Sequence, residues 1–313
     1  MGTMEVIREL PTNAEGKYVL SLGNFDGVHL GHKRLLRGGL EVARAKGLEL
    51  AILLFEPHPM QVLFPESFIG FLTTKEKQME IFEEIGVNRV YLLPFTEEIA
   101  AIPPEQFVRD FLLSMGVEHV VVGFNYSFGA KGKGTPEDLQ TFGHEYGFEV
   151  SILQPQVLEG MVISSTATRK ALLDGNVQLA KEFLGRPHCI VGKVVKGEQR
   201  GRQLGYPTAN LQIQEGLLIP KRGVYAVWAW IDNQKVPGMM NIGMKPTFHK
   251  EYMLTVEVHF FDFHGDLYGK ELTIYLEEKI RDECKFASKE ELIKQLGLDA
   301  KKARDLLNQN LQE

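Results

Sequence analysis

The sequence predicts two domains of different fold class: a doubly wound parallel α/β domain in residues 1–185, and an antiparallel β-barrel with C-terminal helices in residues 186–313. Three observations predict this division. Short apolar runs alternate with helical patterns up to residue 184, which is typical of a parallel sheet. Beyond residue 187, short strands follow one another with few helices between them, as in small barrels. The net charge also changes, from −8 in the first segment to +2 in the second.

The elements of the first domain follow from apolar runs and their boundaries. Short apolar runs predict strands at residues 18–22, 48–55, 89–94, 119–123 and 148–153. Helical patterns predict helices at residues 32–46, 71–85, 103–115, 136–146, 165–173 and 176–184. Thr73 or Thr74 is expected to cap the second helix. Pro103 and Pro104 are expected to open the third helix, because proline suits a first turn.

In the second domain, period-two runs predict strands at residues 188–196, 224–231, 235–242, 254–261 and 271–276. Turn signals at residues 232–233 and 264–266 separate them and favour antiparallel pairing. Ser288 and Glu291 have the spacing of a capping box that opens a C-terminal helix. Asp299 is expected to cap a last, separate helix.

Residues 18–32 combine a buried strand, a glycine-rich turn and the start of a helix. This order is typical of phosphate sites at the carboxyl edge of a parallel sheet. His29 and His32 stand three apart, so on a helical turn they face the same way. Gly31 is expected to leave room for an anion near the backbone. The candidate nucleotide-binding residues of the turn are Gly23, Asn24, Phe25, Asp26 and Gly27.

Two other interpretations of the histidine pair stay open. The two residues can be surface or core-edge histidines without a ligand. They can also bind zinc, although metal ligands on one helix face are usually spaced i and i+4.

Two further segments of the first domain have anion-binding character. Residues 123–134 are rich in glycine and lysine and include Asn125; they predict a mobile phosphate-binding loop or a solvated surface loop. They match neither a Walker loop nor a dinucleotide-binding fingerprint. Residues 164–169 predict a hydroxyl-rich helix N-terminus, with Ser165 or Thr166 as its cap and an arginine one turn inside. The alternative is an ordinary capped helix. The candidate residues here are Ser164, Ser165, Thr166 and Arg169.

Residues 192–211 predict a second phosphate site, because glycines alternate with basic residues. Thr208 and Asn210 lie two apart, so in an extended chain their oxygen atoms face one side. Such hard oxygens suit Mg²⁺, which shares few protein ligands with substrate phosphates. Read alone, the segment is also compatible with a simple turn. The candidate nucleotide-binding residues are Gly192, Lys196, Gly197, Gly205, Tyr206 and Pro207.

These motifs together resemble those of the bacterial bifunctional riboflavin kinase/FMN adenylyltransferases. Residues 29–32 are similar to the HxGH signature of nucleotidylyltransferases, and residues 164–169 to a second nucleotide motif. Residues 192–211 are similar to the riboflavin kinase signature, and its later blocks are found at residues 223–226, 241–243, 254–259 and 267–269. The chain departs from the family at Thr168, usually aliphatic, and at Asn125, frequently aspartate.

The resemblance implies a nucleotidyltransferase domain of the HxGH type and a barrel of the riboflavin kinase type. It implies that the barrel phosphorylates riboflavin with ATP, and that the first domain adenylylates the resulting FMN to FAD. His29 and His32 would then stabilise charge on ATP phosphates, Thr208 and Asn210 would hold Mg²⁺ with ATP, and Glu257 would act as the base. Two alternatives stay open: another HxGH adenylyltransferase with an accessory barrel, and a catalytically dead flavin sensor.

Composition excludes several classes of function. A net charge of −6 argues against a polybasic surface for nucleic acid or membranes. No apolar run reaches the length of a membrane span. Cys189 and Cys284 are the only cysteines, which argues against a disulfide framework and favours the cytoplasm. The sequence leaves a homo-oligomer open.

Overall fold

The computed structural model of the chain describes residues 3–11, 17–197, 201, 204–246 and 252–309. The chain forms two compact units. The first consists of Met1–Ile69 and Lys75–Ser164, and the second of Gly70–Thr74 and Ser165–Glu313. The second unit therefore includes a five-residue segment taken from within the first part of the chain.

The first unit contains one parallel sheet. Its strands run in the spatial order β1-β4-β3-β2-β5-β6. They are β1 Glu5–Ile7, β2 Tyr18–Leu22, β3 Glu49–Glu56, β4 Arg89–Pro94, β5 Val117–Gly123 and β6 Glu149–Leu153, and a separate hairpin is formed by β7 Val157–Leu158 and β8 Met161–Val162.

Helices cover both faces of this sheet. They are α1 Leu30–Lys46, α2 Pro59–Leu63, α3 Lys75–Ile85, α4 Glu97–Ala100, α5 Pro104–Phe107 and α6 Pro136–Tyr146, with a π-helical turn at Val108–Leu113 and 3₁₀ turns at Pro65–Ser67 and Ala130–Gly132. Leu20 and Leu22 of β2 pack into one core with the π-helical turn and α6, whereas Val19 packs into the other core with α1 and α3. The predicted doubly wound parallel class is therefore confirmed.

The strand order locates the functional edge of the sheet. From β2 the chain moves to β3 and β4 on one side, and later to β5 and β6 on the other. The connections therefore change direction between β2 and β5, which pair directly. In open α/β sheets, ligands bind beyond the carboxyl ends of the strands at such a switch point.

The second unit is built around a closed antiparallel barrel, with the strand order β10-β13-β12-β11-β14-β9. The predicted barrel class is therefore confirmed. Its elements are α7 Ser165–Asp174, α8 Val177–Leu184, β9 His188–Val195, β10 Ala209–Ile213, β11 Gly223–Ile231, β12 Gln234–Pro246, β13 Tyr252–Phe260, β14 Glu271–Arg281 and α9 Lys289–Gln309.

Alternate residues of β11 explain the two layers of this unit. Tyr225 and Val227 point into the barrel core, whereas Val224 and Ala226 pack on the outside against Ala303 of α9. The helix thus buries the outer face of one sheet segment, as the period of two along a strand requires. Among the residues that the structure describes, no helix is long and apolar enough to cross a membrane.

Several predicted boundaries were wrong. The C-terminal region is one continuous helix, so Asp299 caps no last helix. Its carboxylate is buried inside α9 and accepts from Arg281 Nε at 3.0 Å and Nη2 at 2.8 Å, which compensates the charge. Helix α7 begins at Ser165, so neither Ser165 nor Thr166 is the residue before it. Strands β1 and β10 were not predicted as strands.

A buried histidine makes the stability of the second unit depend on pH. Burial, with a smaller contribution from positive Arg186, lowers the pKa of His188 to about 4. The unfolded chain then binds a proton below pH 6.5 that the folded chain does not bind. We expect the free energy of unfolding to fall by about 3 kcal/mol as the pH decreases from 6.5 to 4. Denaturant unfolding of the full chain at several pH values measures this loss.

The matched variant is His188→Gln, which has no titratable group at this position. Its unfolding free energy should change less over the same pH range, whatever its value at pH 7. Equal pH dependence in the two proteins would contradict the prediction.

Candidate active sites

The loop between β2 and α1 has a strained backbone. Phe25 and Val28 adopt positive φ angles of 52° and 37°, and both side chains are fully buried. Positive φ is unfavourable for a β-branched residue and persists only where the surroundings enforce it. The Phe25 carbonyl accepts the Val28 N–H at 3.1 Å and Gln78 Nε2 at 3.0 Å. Loops held in this way cluster at functional sites.

The structure brings the two predicted histidines together. His29 is the N-cap of α1, and its Nδ1 accepts the His32 N–H at 3.2 Å. The two rings stack with centroids 3.6 Å apart and an angle of 17° between their planes. Since Nδ1 of His29 is an acceptor, the neutral ring carries its proton on Nε2. Both imidazoles therefore lie at the positive end of the helix, where anions are favoured.

The glycine and the aromatic residue of the motif shape this pair. A Cβ on Gly31 would lie 3.1 Å from both Cε1 and Nδ1 of His29, and 3.5 Å from the Ile163 carbonyl oxygen. Gly31 therefore accommodates the His29 ring, rather than leaving open space for an anion as the sequence suggested. The ring of Phe25 packs against the ring of His32, with their centroids 5.2 Å apart and their planes tilted by 57°. Asp26 is buried and Asn24 is exposed.

The electrostatic state of His32 follows from this packing. Burial and the adjacent His29 lower the pKa of His32 well below its usual value of 6.5. The ring is therefore neutral at pH 7 without ligand. Neutral imidazoles stabilise phosphates as hydrogen-bond donors, and a bound polyphosphate would raise the pKa toward the charged form.

The second half of the predicted loop after β5 is held by backbone contacts. Phe128 and Gly134 exchange backbone hydrogen bonds of 3.1 and 2.9 Å, and Gly129 lies so close to Pro104 that a Cβ would be 2.8 Å from its Cα. Asn125 is exposed directly after β5. Because β5 neighbours β2, Asn125 and the histidine loop follow adjacent strand ends.

The second predicted motif of the first domain spans the boundary between the compact units. Ser164 follows Ile163, whose carbonyl lies near Gly31, in the first unit. Arg169 belongs to the second unit, where its Nε donates to the Gly70 carbonyl at 3.2 Å. The association of Arg169 with the histidine pair stays a prediction.

In the barrel, the predicted magnesium ligands lie against glycine backbone. A Cβ on Gly197 would be 2.3 Å from Asn210 Nδ2 and 2.7 Å from its Oδ1, and a Cβ on Gly201 would be 2.3 Å from the Tyr206 carbonyl oxygen and 3.3 Å from Thr208 Oγ1. Only glycine allows these close approaches. Thr208 and Asn210 thus both pack close to glycine backbone, and their role as magnesium ligands stays a prediction.

The other predicted residues of this segment differ in their surroundings. Gly192 lies within β9, where a Cβ would be 2.8 Å from the Gln212 carbonyl oxygen, so strand packing alone requires glycine there. Gly205 has a φ of 83° and open space around it. Lys196 and Pro207 are exposed, and the Tyr206 N–H donates to the Gly201 carbonyl at 2.9 Å.

The candidate base lies in the same row of the barrel as a candidate metal ligand. Glu257 of β13 pairs directly with Asn210 of β10 on one side and with Asn241 of β12 on the other. Directly paired residues present their side chains on the same face of a sheet. Val256 and Val258 point into the core, so this row faces outward. The side chain of Glu257 is 19% exposed, and its Oε1 accepts a hydrogen bond from Lys245 Nζ at 2.6 Å.

Two residues near Glu257 were missed by the sequence analysis. His259 Nδ1 donates to the Pro207 carbonyl at 2.8 Å, and its ring packs edge-on against Tyr206, which ties β13 to the segment before Thr208. The spacing of two from Glu257 placed His259 on the same face and could have found it. Lys245 had no comparable signal, because its contact depends on how β12 lies beside β13.

Comparisons with known families divide the chain in the same way as its fold classes. The model of the family described as FAD synthetase matches residues 12–167, and the model of the riboflavin kinase family matches residues 184–307. A solved structure also resembles the chain: a crystal structure described as a macrolide-efflux protein from Streptococcus pneumoniae has 35% identity and a TM-score of 0.86, with 95% of this chain and 97% of that chain covered.

Curated relatives match over nearly the whole length. The bifunctional riboflavin kinase/FMN adenylyltransferase of Listeria monocytogenes is 40% identical over 91% of each chain. Proteins of the same name from Escherichia coli and Bacillus subtilis are 39% and 36% identical, each over 92% of both chains. The chain therefore belongs to the family of bifunctional riboflavin kinase/FMN adenylyltransferases.

Proposed function

We propose that this chain makes FAD in two ATP-dependent steps. The riboflavin kinase segment transfers the γ-phosphoryl group of ATP to riboflavin, which gives FMN and ADP. The FAD synthetase segment then joins FMN to the adenylyl group of ATP, which gives FAD and pyrophosphate. The observation that carries this proposal is that each matched segment contains its own candidate site, one with paired imidazoles and one with a glycine-lined threonine and asparagine.

In the adenylyl transfer, the FMN phosphate attacks the α-phosphorus of ATP and pyrophosphate leaves. Charge builds up on the phosphate oxygens during this step. The stacked His29 and His32 lie at the N-terminus of α1, so their ring N–H groups and the helix dipole act on that charge together. Because the strained loop and the Phe25 contact fix the rings beforehand, little reorganisation is needed.

In the kinase step, Glu257 accepts the proton of the riboflavin hydroxyl as its oxygen attacks the γ-phosphorus. Thr208 and Asn210 would hold Mg²⁺, which would supply positive charge to the phosphates of ATP when bound. Protein groups in phosphoryl transfer mainly position the reactants. The direct pairing of Asn210 with Glu257 puts the candidate metal ligand beside the candidate base.

The boundary between the functional segments is also part of this proposal. We place it at residues 185/186, directly before the barrel strand β9. The FAD synthetase match ends at residue 167, and the riboflavin kinase match begins at residue 184. By packing, helices α7 and α8 belong with the barrel, since Leu172 and Val177 lie in its core. We also propose a cytoplasmic location, because the two cysteines of the sequence, Cys189 and Cys284, are too few for a disulfide framework.

Incubation of the full chain with riboflavin, ATP and Mg²⁺, followed by chromatography, tests the proposed function. FMN should appear first and FAD should follow; with FMN as the starting flavin, FAD should form directly. Conversion of FMN without conversion of riboflavin would favour an adenylyltransferase with an accessory barrel. Flavin binding without turnover of either flavin would favour a sensor.

A further inference from the structure

The carboxylate of Glu257 has a cationic partner that the proposed mechanism does not yet use. Lys245 Nζ donates to Glu257 Oε1 at 2.6 Å. Within the part of the chain that the structure describes, Glu257 is the one carboxylate within 4.0 Å of this ammonium group. The contact therefore joins the candidate base to the end of the neighbouring strand.

The barrel geometry explains how the lysine reaches the glutamate. On β12, Lys245 lies four residues beyond Asn241, which pairs directly with Glu257. Residues spaced by two or four on a strand share one face, so Lys245 and Glu257 are on the same outward face. Lys245 pairs with Met253, so its long side chain runs back across the pair formed by Gly243 and Thr255.

The end of β12 is itself fixed in place. Glu283 Oε1 accepts a hydrogen bond from the Met244 N–H at 3.3 Å. The same oxygen would be only 2.6 Å from a Cβ on Gly243, so glycine is needed there. Arg222 Nη1 lies 3.8 Å from Glu283 Oε2. The backbone next to Lys245 is therefore held by the carboxylate of Glu283, whereas the side chain of Lys245 contacts the carboxylate of Glu257.

The ion pair between Lys245 and Glu257 is expected to matter more for the orientation of Glu257 than for the stability of the barrel. The lysine side chain is 41% exposed and that of Glu257 is 19% exposed, and ion pairs of this exposure contribute little to the free energy of unfolding. Its effect on orientation is larger, because a small displacement of a reacting group can reduce a rate by about 10²-fold. Only Oε1 is engaged by Lys245, and among the described residues no hydrogen bond is recorded at Oε2.

We propose that Lys245 is a positioning residue for riboflavin phosphorylation, which fixes Glu257 so that Oε2 faces the acceptor hydroxyl. This inference rests on the proposed role of Glu257. The hydroxyl proton moves to Oε2 while the hydroxyl oxygen forms its bond to the γ-phosphorus. The bond from that phosphorus to the bridging oxygen breaks, and ADP leaves. Lys245 keeps its proton throughout and compensates charge at the carboxylate.

The test compares Lys245→Met with Lys245→Arg in the full chain, with ATP, Mg²⁺ and riboflavin. We expect Lys245→Met to lower kcat for FMN formation on the order of tenfold, with KM for ATP within about twofold of wild type. Lys245→Arg should recover most of the rate, because a guanidinium also donates to a carboxylate. FAD formation from added FMN should stay unchanged in both variants, which shows that the FAD synthetase segment is folded, and recovery of FMN formation by Lys245→Arg shows that the barrel tolerates a change at this position.

Two further variants separate positioning from a general loss of charge. Lys270→Met removes another lysine of the barrel, which contacts Asp232 at 3.3 Å, and should leave FMN formation unchanged. In a Glu257→Gln background, Lys245→Met should cause no further decrease, because the group that it positions is gone.

The possible outcomes are distinct. An unchanged or increased kcat in Lys245→Met would overturn the inference, and an increase would show that the lysine blocks the base. Failure of Lys245→Arg to recover activity would also overturn it. If Glu257→Gln itself keeps full activity, the proposed role of Glu257 fails. If Glu257→Gln is inactive while Lys245→Met equals wild type, only the positioning role fails.

Discussion

Glu257→Gln is expected to stop FMN formation almost completely while leaving FAD formation from FMN intact. Glutamine keeps the shape of the side chain and removes the group that accepts the proton. General-base catalysis typically contributes about 10²–10⁴-fold, so we expect a loss of this size in kcat for riboflavin phosphorylation. Product chromatography with riboflavin should then show neither FMN nor FAD. The same sample should convert added FMN to FAD at the wild-type rate.

The internal control makes this result specific. A variant whose whole chain fails to fold loses both activities, and a Glu257→Gln barrel that keeps the wild-type KM for ATP but not its kcat has lost the base rather than its fold. Wild-type FMN formation by Glu257→Gln would exclude Glu257 as the base. In that case the pairing with Asn210 and Lys245 would be a structural arrangement only.

A second large effect is expected at His29. This residue both caps α1 through Nδ1 and presents its ring at the helix N-terminus. Asparagine is a good N-cap residue, so His29→Asn keeps an acceptor for the His32 N–H while the imidazole is lost. We expect FAD formation to fall about 10²–10³-fold, the usual cost of removing a preorganised donor to a transition-state oxyanion. FMN should accumulate when riboflavin is supplied.

His29→Ala is the matched comparison, because it removes the cap and the ring together. It should lose the same activity and also about 1 kcal/mol of stability relative to His29→Asn. Unchanged kcat with a raised KM for ATP in His29→Asn would show that the histidine only binds ground-state ATP. Wild-type FAD formation would remove His29 from the mechanism.

Much of the first unit could be predicted from sequence because its central strands, β2 to β5, are buried on both faces. The apolar run at β2 and the proline and glycine boundaries of α6 left few alternatives. Strand β1 could not be found, since Glu5 and Val6 are exposed at the sheet edge and form no apolar run. Strand β10 was missed because residues 207–210 have the composition of a turn, whereas the strand begins at Ala209 and is defined by its pairing with β9 and β13.

In the candidate sites, features set by local spacing could be predicted from sequence, whereas features set by distant partners could not. Local spacing predicted that His29 and His32 lie together, because one helical turn determines their relation. It did not predict why Gly31 is needed, since the answer is the position of the His29 ring. Lys245 and Asp299 depend on partners that are distant in sequence: Lys245 pairs with Glu257, and Asp299, expected as a helix cap, is buried and pairs with Arg281.

The segment Gly70–Thr74 has a consequence for dividing this polypeptide. Phe71 exchanges hydrogen bonds with Gly216 and Leu218, and Leu72 is buried among barrel residues. A fragment that starts at residue 165 would therefore lack one of its own core side chains. If the riboflavin kinase segment were exchanged between homologues at a single junction, residues 70–74 of one protein would have to pack against the barrel of the other. Residues 70–74 and the barrel therefore have to be exchanged together.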